Sequence, residues 1–131
     1  MLRTHSRLPD ELEQVVHDTI GCCIAVHREL GPGLLEAVYS RALGLELRAQ
    51  GLSFERERAC PVFYRGELLC EQRIDFIVKR QLILEIKAVE HLVPVHHAQI
   101  LSYMRVAGVP VGLLVNFNVP VLQDGIRRKV L

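Results

Sequence analysis

Asp75, Glu85 and Lys87 stand in a mostly apolar stretch, Arg73 to Lys87, at a spacing that lets them work together. Side chains alternate along a strand, so Ile74, Phe76 and Val78 share one side, as do Leu82, Leu84 and Ile86 on the next strand. These six make a wall facing the core. Arg73, Asp75 and Ile77 then lie opposite it with Ile83, Glu85 and Lys87, provided the hairpin turns symmetrically about Arg80. The connection Lys79-Arg80-Gln81 has a common hairpin length. It sets Asp75 across from Glu85, with Cβ atoms about 4.5–5.5 Å apart. A two-residue turn would set Asp75 opposite Leu84 and split the apolar wall between both faces, so an odd-numbered loop is expected.

Two carboxylates at that distance can share one cation, with the Ile86 carbonyl as a further oxygen ligand. A cation so held polarises a phosphodiester and activates water. Lys87 would orient that water or the phosphate through charge-assisted hydrogen bonds, and carboxylates nearby favour its protonated form. The plain alternative is a surface salt-bridge cluster. Glu36 follows Gly31-Pro32-Gly33 near a helix start, where the helix dipole favours a carboxylate. It could also face the hairpin as an additional metal or water ligand, steadied by Tyr39 three residues on. Gln99 and Tyr103 share a helical face and can orient a phosphate or a base, although both also suit ordinary surface and core positions. Arg73 flanks the centre, and Arg127-Arg128-Lys129 form the clearest basic run, a candidate for phosphate contacts carrying little sequence information. No His or Cys spacing suits zinc, and Cys22, Cys23, Cys60 and Cys70 are expected as buried thiols.

The elements that must position these groups follow in order. Residues 1–9 read as a loose arm and residues 10–131 as one domain. From Asp10 to Leu30 apolar residues recur at spacings of three and four, a helix ended by Gly31-Pro32-Gly33. A second helix is expected from about Leu34 to Ala49, burying Leu35, Val38, Ala42, Leu45 and Tyr39. Leu52 to Tyr64 reads as an edge strand with the charged middle Glu55-Arg56-Glu57-Arg58. After a turn at Arg65-Gly66-Glu67 the chain reaches the central hairpin. A third helix is expected over Val95 to Ala107, then strands Val111 to Phe117 and Ile126 to Leu131.

Half of the 131 residues are hydrophobic, which excludes general disorder and allows a sheet covered by helices. Sixteen Lys and Arg against fifteen Asp and Glu leave a net charge of +1, so any nucleic-acid footprint must be local. With no signal-peptide core and no membrane-length apolar run, the expected location is the cytoplasm, away from membranes.

Gly33-Leu34-Leu35-Glu36-Ala37-Val38-Tyr39 matches a GxxExxY signature, and Asp75, Glu85-Ile86-Lys87, Gln99 to Tyr103 and the Val111-to-Phe117 strand follow in order. The chain thus resembles the GxxExxY family, a small branch of the PD-(D/E)xK nuclease-like superfamily, from about residue 10 to 130. Ile74 stands where the superfamily name places proline. The resemblance implies an α/β, restriction-endonuclease-like mixed sheet flanked by helices. It implies Mg²⁺, with Mn²⁺ as a substitute, bound by Asp75 and Glu85, with Lys87 and Glu36 as the matching lysine and upstream glutamate. Gln99 and Tyr103 resemble the glutamine-tyrosine element of exonuclease-like branches. The expected activity is hydrolysis of nucleic-acid phosphodiesters, DNA before RNA, selective for structure because no sequence-reading domain accompanies the site. Noncatalytic nucleic-acid binding and a homo-oligomeric interaction module are the alternatives, and a homodimer would enlarge the small positive surface.

Overall fold

Helix α1 (Asp10–Leu30) forms where the periodicity placed it, with Asp10, Glu11 and Glu13 in its first turn against the positive end of the dipole. The computed structural model describes residues 8–131, so most of the expected arm lies outside the described residues. Leu8, at its end, packs against the core. Gly31, at φ 68, ends α1 and donates its amide to the His27 carbonyl at 2.8 Å.

Helix α2 (Glu36–Ala49) turns Tyr39 and Ala42 inward as expected, but not Leu35, Val38 and Leu45. Tyr39, Leu43, Gly44 and Leu47 are buried, whereas Leu35 is 77% and Leu45 64% exposed and Val38 is exposed too. Two apolar stripes at helical spacing run along this helix, and tertiary contacts select between them. Tyr39 stacks on Phe117 with ring centroids 4.7 Å apart, and glycine at position 44 admits Phe54, Phe76 and the Arg56 stem to the helix.

Five strands form one mixed sheet in chain order: β1 (Phe54–Tyr64), β2 (Glu67–Val78), β3 (Leu82–Lys87), β4 (Val111–Asn116) and β5 (Ile126–Val130). Neighbours are antiparallel except β3 and β4, which run parallel and are joined by helix α3 (Pro94–Ala107). Such a crossover buries both faces of the central strands. All of β4 is buried, and β3 is buried up to Lys87.

The β2–β3 register is the expected one: Phe76 pairs with Leu84, Ile77 with Ile83 and Val78 with Leu82 around a three-residue loop. Lys79 and Arg80 take φ values of 50 and 60 to close it. The single apolar wall, however, resolves into two cores. Phe76, Val78, Leu82, Leu84 and Ile86 pack against α1 and α2, while Ile77 and Ile83 pack under α3. Ile74, expected with Phe76, joins the α3 side. Alternation breaks at Asp75, and on the neighbouring strand Glu57 has a φ of 50 while the register on either side of it is kept.

The charged middle of β1 lies exposed at the sheet edge, as its composition required. Past it, the β1–β2 hairpin leaves the body, with Glu67 through Arg73 exposed. Cys70 sits on this projection, so it is not a buried thiol like Cys22, Cys23 and Cys60.

Candidate active site

Asp75 and Glu85 fasten the end of the β2–β3 ribbon with their side chains. The Asp75 amide donates to Glu85 Oε2 and the Ile86 amide donates to Asp75 Oδ2, each at 2.8 Å. Main-chain pairing between these strands ends at Phe76 and Leu84, so the carboxylates accept from amides that have left the ladder. Each carboxylate keeps its second oxygen without a hydrogen bond among the described residues. Glu85 is only 3% exposed.

Burial raises both carboxyls above the ordinary range. For Glu85 the next cause is the charge of Asp75; for Asp75, the Ile86 amide and the Lys87 ammonium pull the other way. Lys87 is half-buried and donates from Nζ to Gln99 Oε1 at 3.2 Å. Tyr103, almost fully buried under α3, has its phenol pushed up to about 12 by burial and by the charges of Glu85 and Asp75. Lys87, Gln99 and Tyr103 thus converge on the carboxylate pair, bringing β2, β3 and α3 to one point.

Glu36, the first residue of α2, stands at the surface, yet the protein around its carboxyl raises its pKa, with Asp75 adding to the rise and Lys87 opposing it. Among the described residues no three His, Cys, Asp or Glu side chains gather to hold one ion. Glu36 lines the same groove as Asp75 and feels the charges of Asp75 and Lys87. Tyr39 does not steady it: the Tyr39 hydroxyl donates to the Gly31 carbonyl at 2.6 Å and accepts the Leu34 amide at 3.1 Å. Its ring is fully buried, so it pins the turn before α2 and has no surface to offer a substrate.

Residues 13–129 match the model of the PD-(D/E)XK nuclease superfamily. The chain belongs to this superfamily. Comparisons with curated proteins and with solved structures return no match. Nucleases of the superfamily use divalent metals, and the residues here fit one. Two adjacent carboxylates, each with an oxygen free of hydrogen bonds and each raised by burial, form a site whose repulsion a cation would relieve.

The basic run of β5 is divided between two faces of the sheet. Arg128 is held bidentately by Glu13 of α1 at 2.6 and 2.9 Å, while Arg127 donates to the Asp124 and Ile126 carbonyls. Arg127 and Lys129 lie toward His97 of α3, because alternate residues of a strand leave opposite faces. Arg73 is exposed beside the pair and donates to the Glu57 carbonyl at 3.3 Å.

Asn116, at the end of β4 beside Lys87, went unread in the sequence. It is 2% exposed, accepts the Val89 amide at 3.0 Å and donates to the Val89 carbonyl at 2.9 Å. The chain leaving Lys87 is fixed by that clamp. The signal was present: an amide closing an otherwise apolar buried strand must be hydrogen-bonded to something. A separate cleft of about 420 Å³ between α1 and α2 is lined by His17, Asp18, Cys22, Glu46 and Gln50. Its thiol is pushed up to about 11 by burial and by Glu46 and Asp18, which leaves it a poor nucleophile.

Proposed function

We propose that this chain, as a member of the GxxExxY branch, is a cation-dependent nuclease that hydrolyses DNA phosphodiesters, selecting by structure and using Mg²⁺ or Mn²⁺. The observation that carries this reading is the reciprocal fastening of Asp75 and Glu85, which leaves one unbonded oxygen on each of two adjacent carboxylates. Asp75 and Glu85 would hold the ion, with the Ile86 carbonyl as a third protein oxygen. When bound, such an ion supplies positive charge against the phosphate oxygens and makes water more acidic. Lys87, steered by Gln99, donates to a phosphate oxygen or to the attacking water. Tyr103 keeps its proton at neutral pH and, hydrogen-bonded to Gln99, helps to set the side chain that steers Lys87. Glu36 accepts a hydrogen bond from water on the open side of the site.

The test is cleavage of linear, branched, single-stranded and duplex DNA and RNA in Mg²⁺, Mn²⁺ or EDTA, beside folded Asp75→Asn and Lys87→Ala variants. Cation-dependent cleavage that falls at least about 100-fold in both variants is expected. Cleavage unchanged in both refutes the assignment. The two-carboxylate count favours a second reading, noncatalytic nucleic-acid binding at the same face. Binding without cleavage under every cation would establish it. Exposed Phe63, Tyr64, Leu68 and Leu69 at the hairpin tip are compatible with a homodimer, which sedimentation at micromolar concentration checks.

A further inference from the structure

A groove leaves the carboxylate pair between α2 and the β1–β2 hairpin. Its first section, about 490 Å³, is lined by Glu36, Ser40, Arg41, Arg56, Arg73 and Asp75, among others. A second section of about 190 Å³ shares Arg41 and Arg56 and continues past Leu45 and Phe54 to Arg48. The charges are sorted along it. Glu36, Glu57 and Asp75 are confined to the section at the pair, where Arg41, Arg56 and Arg73 also stand, and the section beyond has only arginines as charged lining.

These arginines are held for work at the surface. Arg56 donates to Ser40 Oγ at 2.8 Å and lies over the Phe76 ring at 5.3 Å. Arg48 lies 5.9 Å from the Phe54 ring centroid. Arg41 forms no ion pair among the described residues. A guanidinium with five donors fastened by one or two contacts keeps others for a phosphate, and its fixed position lowers the ordering cost of binding. Arg41 and Arg48 are two helical turns apart, about 10.5 Å along α2, so they can meet different phosphates of one strand.

Resting on the nuclease reading for the identity of its occupant, we infer that this groove carries an unpaired nucleic-acid strand flanking the phosphate at Asp75, with Arg41, Arg48, Arg56 and Arg73 as its phosphate contacts. The lining also decides between an unpaired strand and a duplex. Leu45, 64% exposed, and half-buried Phe54 give the distal section an apolar floor that unpaired bases can cover. Bases stacked inside a duplex cannot reach it. This track lies on the α2 side, whereas Arg127 and Lys129 face α3.

The experiment measures fluorescence anisotropy of a labelled oligonucleotide of about 16 nucleotides in EDTA, so that binding is read without cleavage. Wild type, the double variant Arg41→Gln/Arg48→Gln and the control Arg127→Gln/Lys129→Gln are titrated at several salt concentrations. Both arginines of the test pair are exposed on α2, and far-UV circular dichroism verifies the fold. The test pair is expected to lose about tenfold in affinity and to lower the slope of log affinity against log salt by about 1.4. The control should leave both within error, and a duplex of equal length should bind more weakly and lose less. Unchanged affinity and slope in the test pair overturn the groove, and equal loss on duplex overturns its assignment to an unpaired strand. If the arginines matter for binding while Asp75→Asn still cleaves like wild type, the groove stands and the catalytic assignment falls. If Asp75→Asn is dead and the arginines change nothing, the reverse holds.

Discussion

Replacing Glu85 by glutamine should abolish cleavage and make the cation-free protein more stable. The Glu85 carboxyl is pushed up to about 8, first by burial and then by Asp75. The unfolded chain returns it to the ordinary glutamate range, so between those two values the folded state binds the extra proton. A raised carboxyl pKa means that folding stability falls as pH rises through this window, with the whole penalty present above the folded value. At pH 7 the penalty spans about 2.5 units and amounts to about 3 kcal/mol at about 1.4 kcal/mol per unit. The substituted amide would keep an oxygen to accept the Asp75 N–H, and its NH₂ could donate toward the Asp75 carboxylate. A buried amide must satisfy its own donors, which offsets part of the gain. The expected net change is about 1–3 kcal/mol at pH 7 to 8, or roughly 3–10 °C in melting temperature for a chain of this length. Thermal melts in EDTA at pH 5, 7 and 8.5 read the difference, which should shrink at pH 5 because the wild-type carboxyl is then protonated in the fold at little cost. A variant that melts at or below wild type at pH 8.5, or a gap that does not depend on pH, would refute the placement of two mutually destabilising carboxyls.

Tyr39→Phe should destabilise the fold by about 1–3 kcal/mol in urea titrations, because the Gly31 carbonyl and the Leu34 amide lose their shared hydroxyl, while cleavage at a permissive temperature is retained. Gly112→Ala places a Cβ 2.8 Å from Met104 Sδ and 3.0 Å from Ile100 Cδ1, so overpacking between α3 and β4 should cost about 1–3 kcal/mol by the same titration. Arg128→Ala should cost no more than about 1 kcal/mol, since its ion pair with Glu13 is partly exposed, and should leave the salt dependence of DNA binding unchanged.

The sequence carried the order of elements and the hairpin register because both rest on period. A pattern of period two fixes which residues oppose one another, and a slip by one residue would have sent Ile83 and Leu84 to each other's core and set Asp75 opposite Leu84. Asp75 and Glu85 were legible as a pair for that reason alone. Tyr39 was legible as an inward residue of α2, but its companions were not, because Leu35/Val38/Leu45 and Leu43/Leu47 both recur at helical spacing and contacts distant in the chain choose between them. The same long-range contact removed Tyr39 from the site. Ile74 joined the other core where alternation breaks at Asp75, and nothing in the residue types there announces the break. Arg128 read as one member of a basic run, and the ion pair with Glu13, far away in the chain, exists only in the fold.

The fastening at the end of the ribbon makes the site and the sheet one structure. Asp75 and Glu85 each accept a main-chain amide from the other's strand, so truncating either to alanine removes a charge and also orphans a main-chain donor. An orphaned buried donor costs about 1–3 kcal/mol, enough to loosen the segment that carries Lys87. Asparagine and glutamine keep the acceptor while removing the charge. If catalysis depends on charge, Asp75→Asn and Asp75→Ala should be equally inactive, yet only the alanine variant should lose protection of the Ile86 amide in hydrogen exchange. If activity instead follows that protection, with the asparagine variant active, then Asp75 is a clasp for the hairpin and the negative charge at the site is incidental to whatever the protein does.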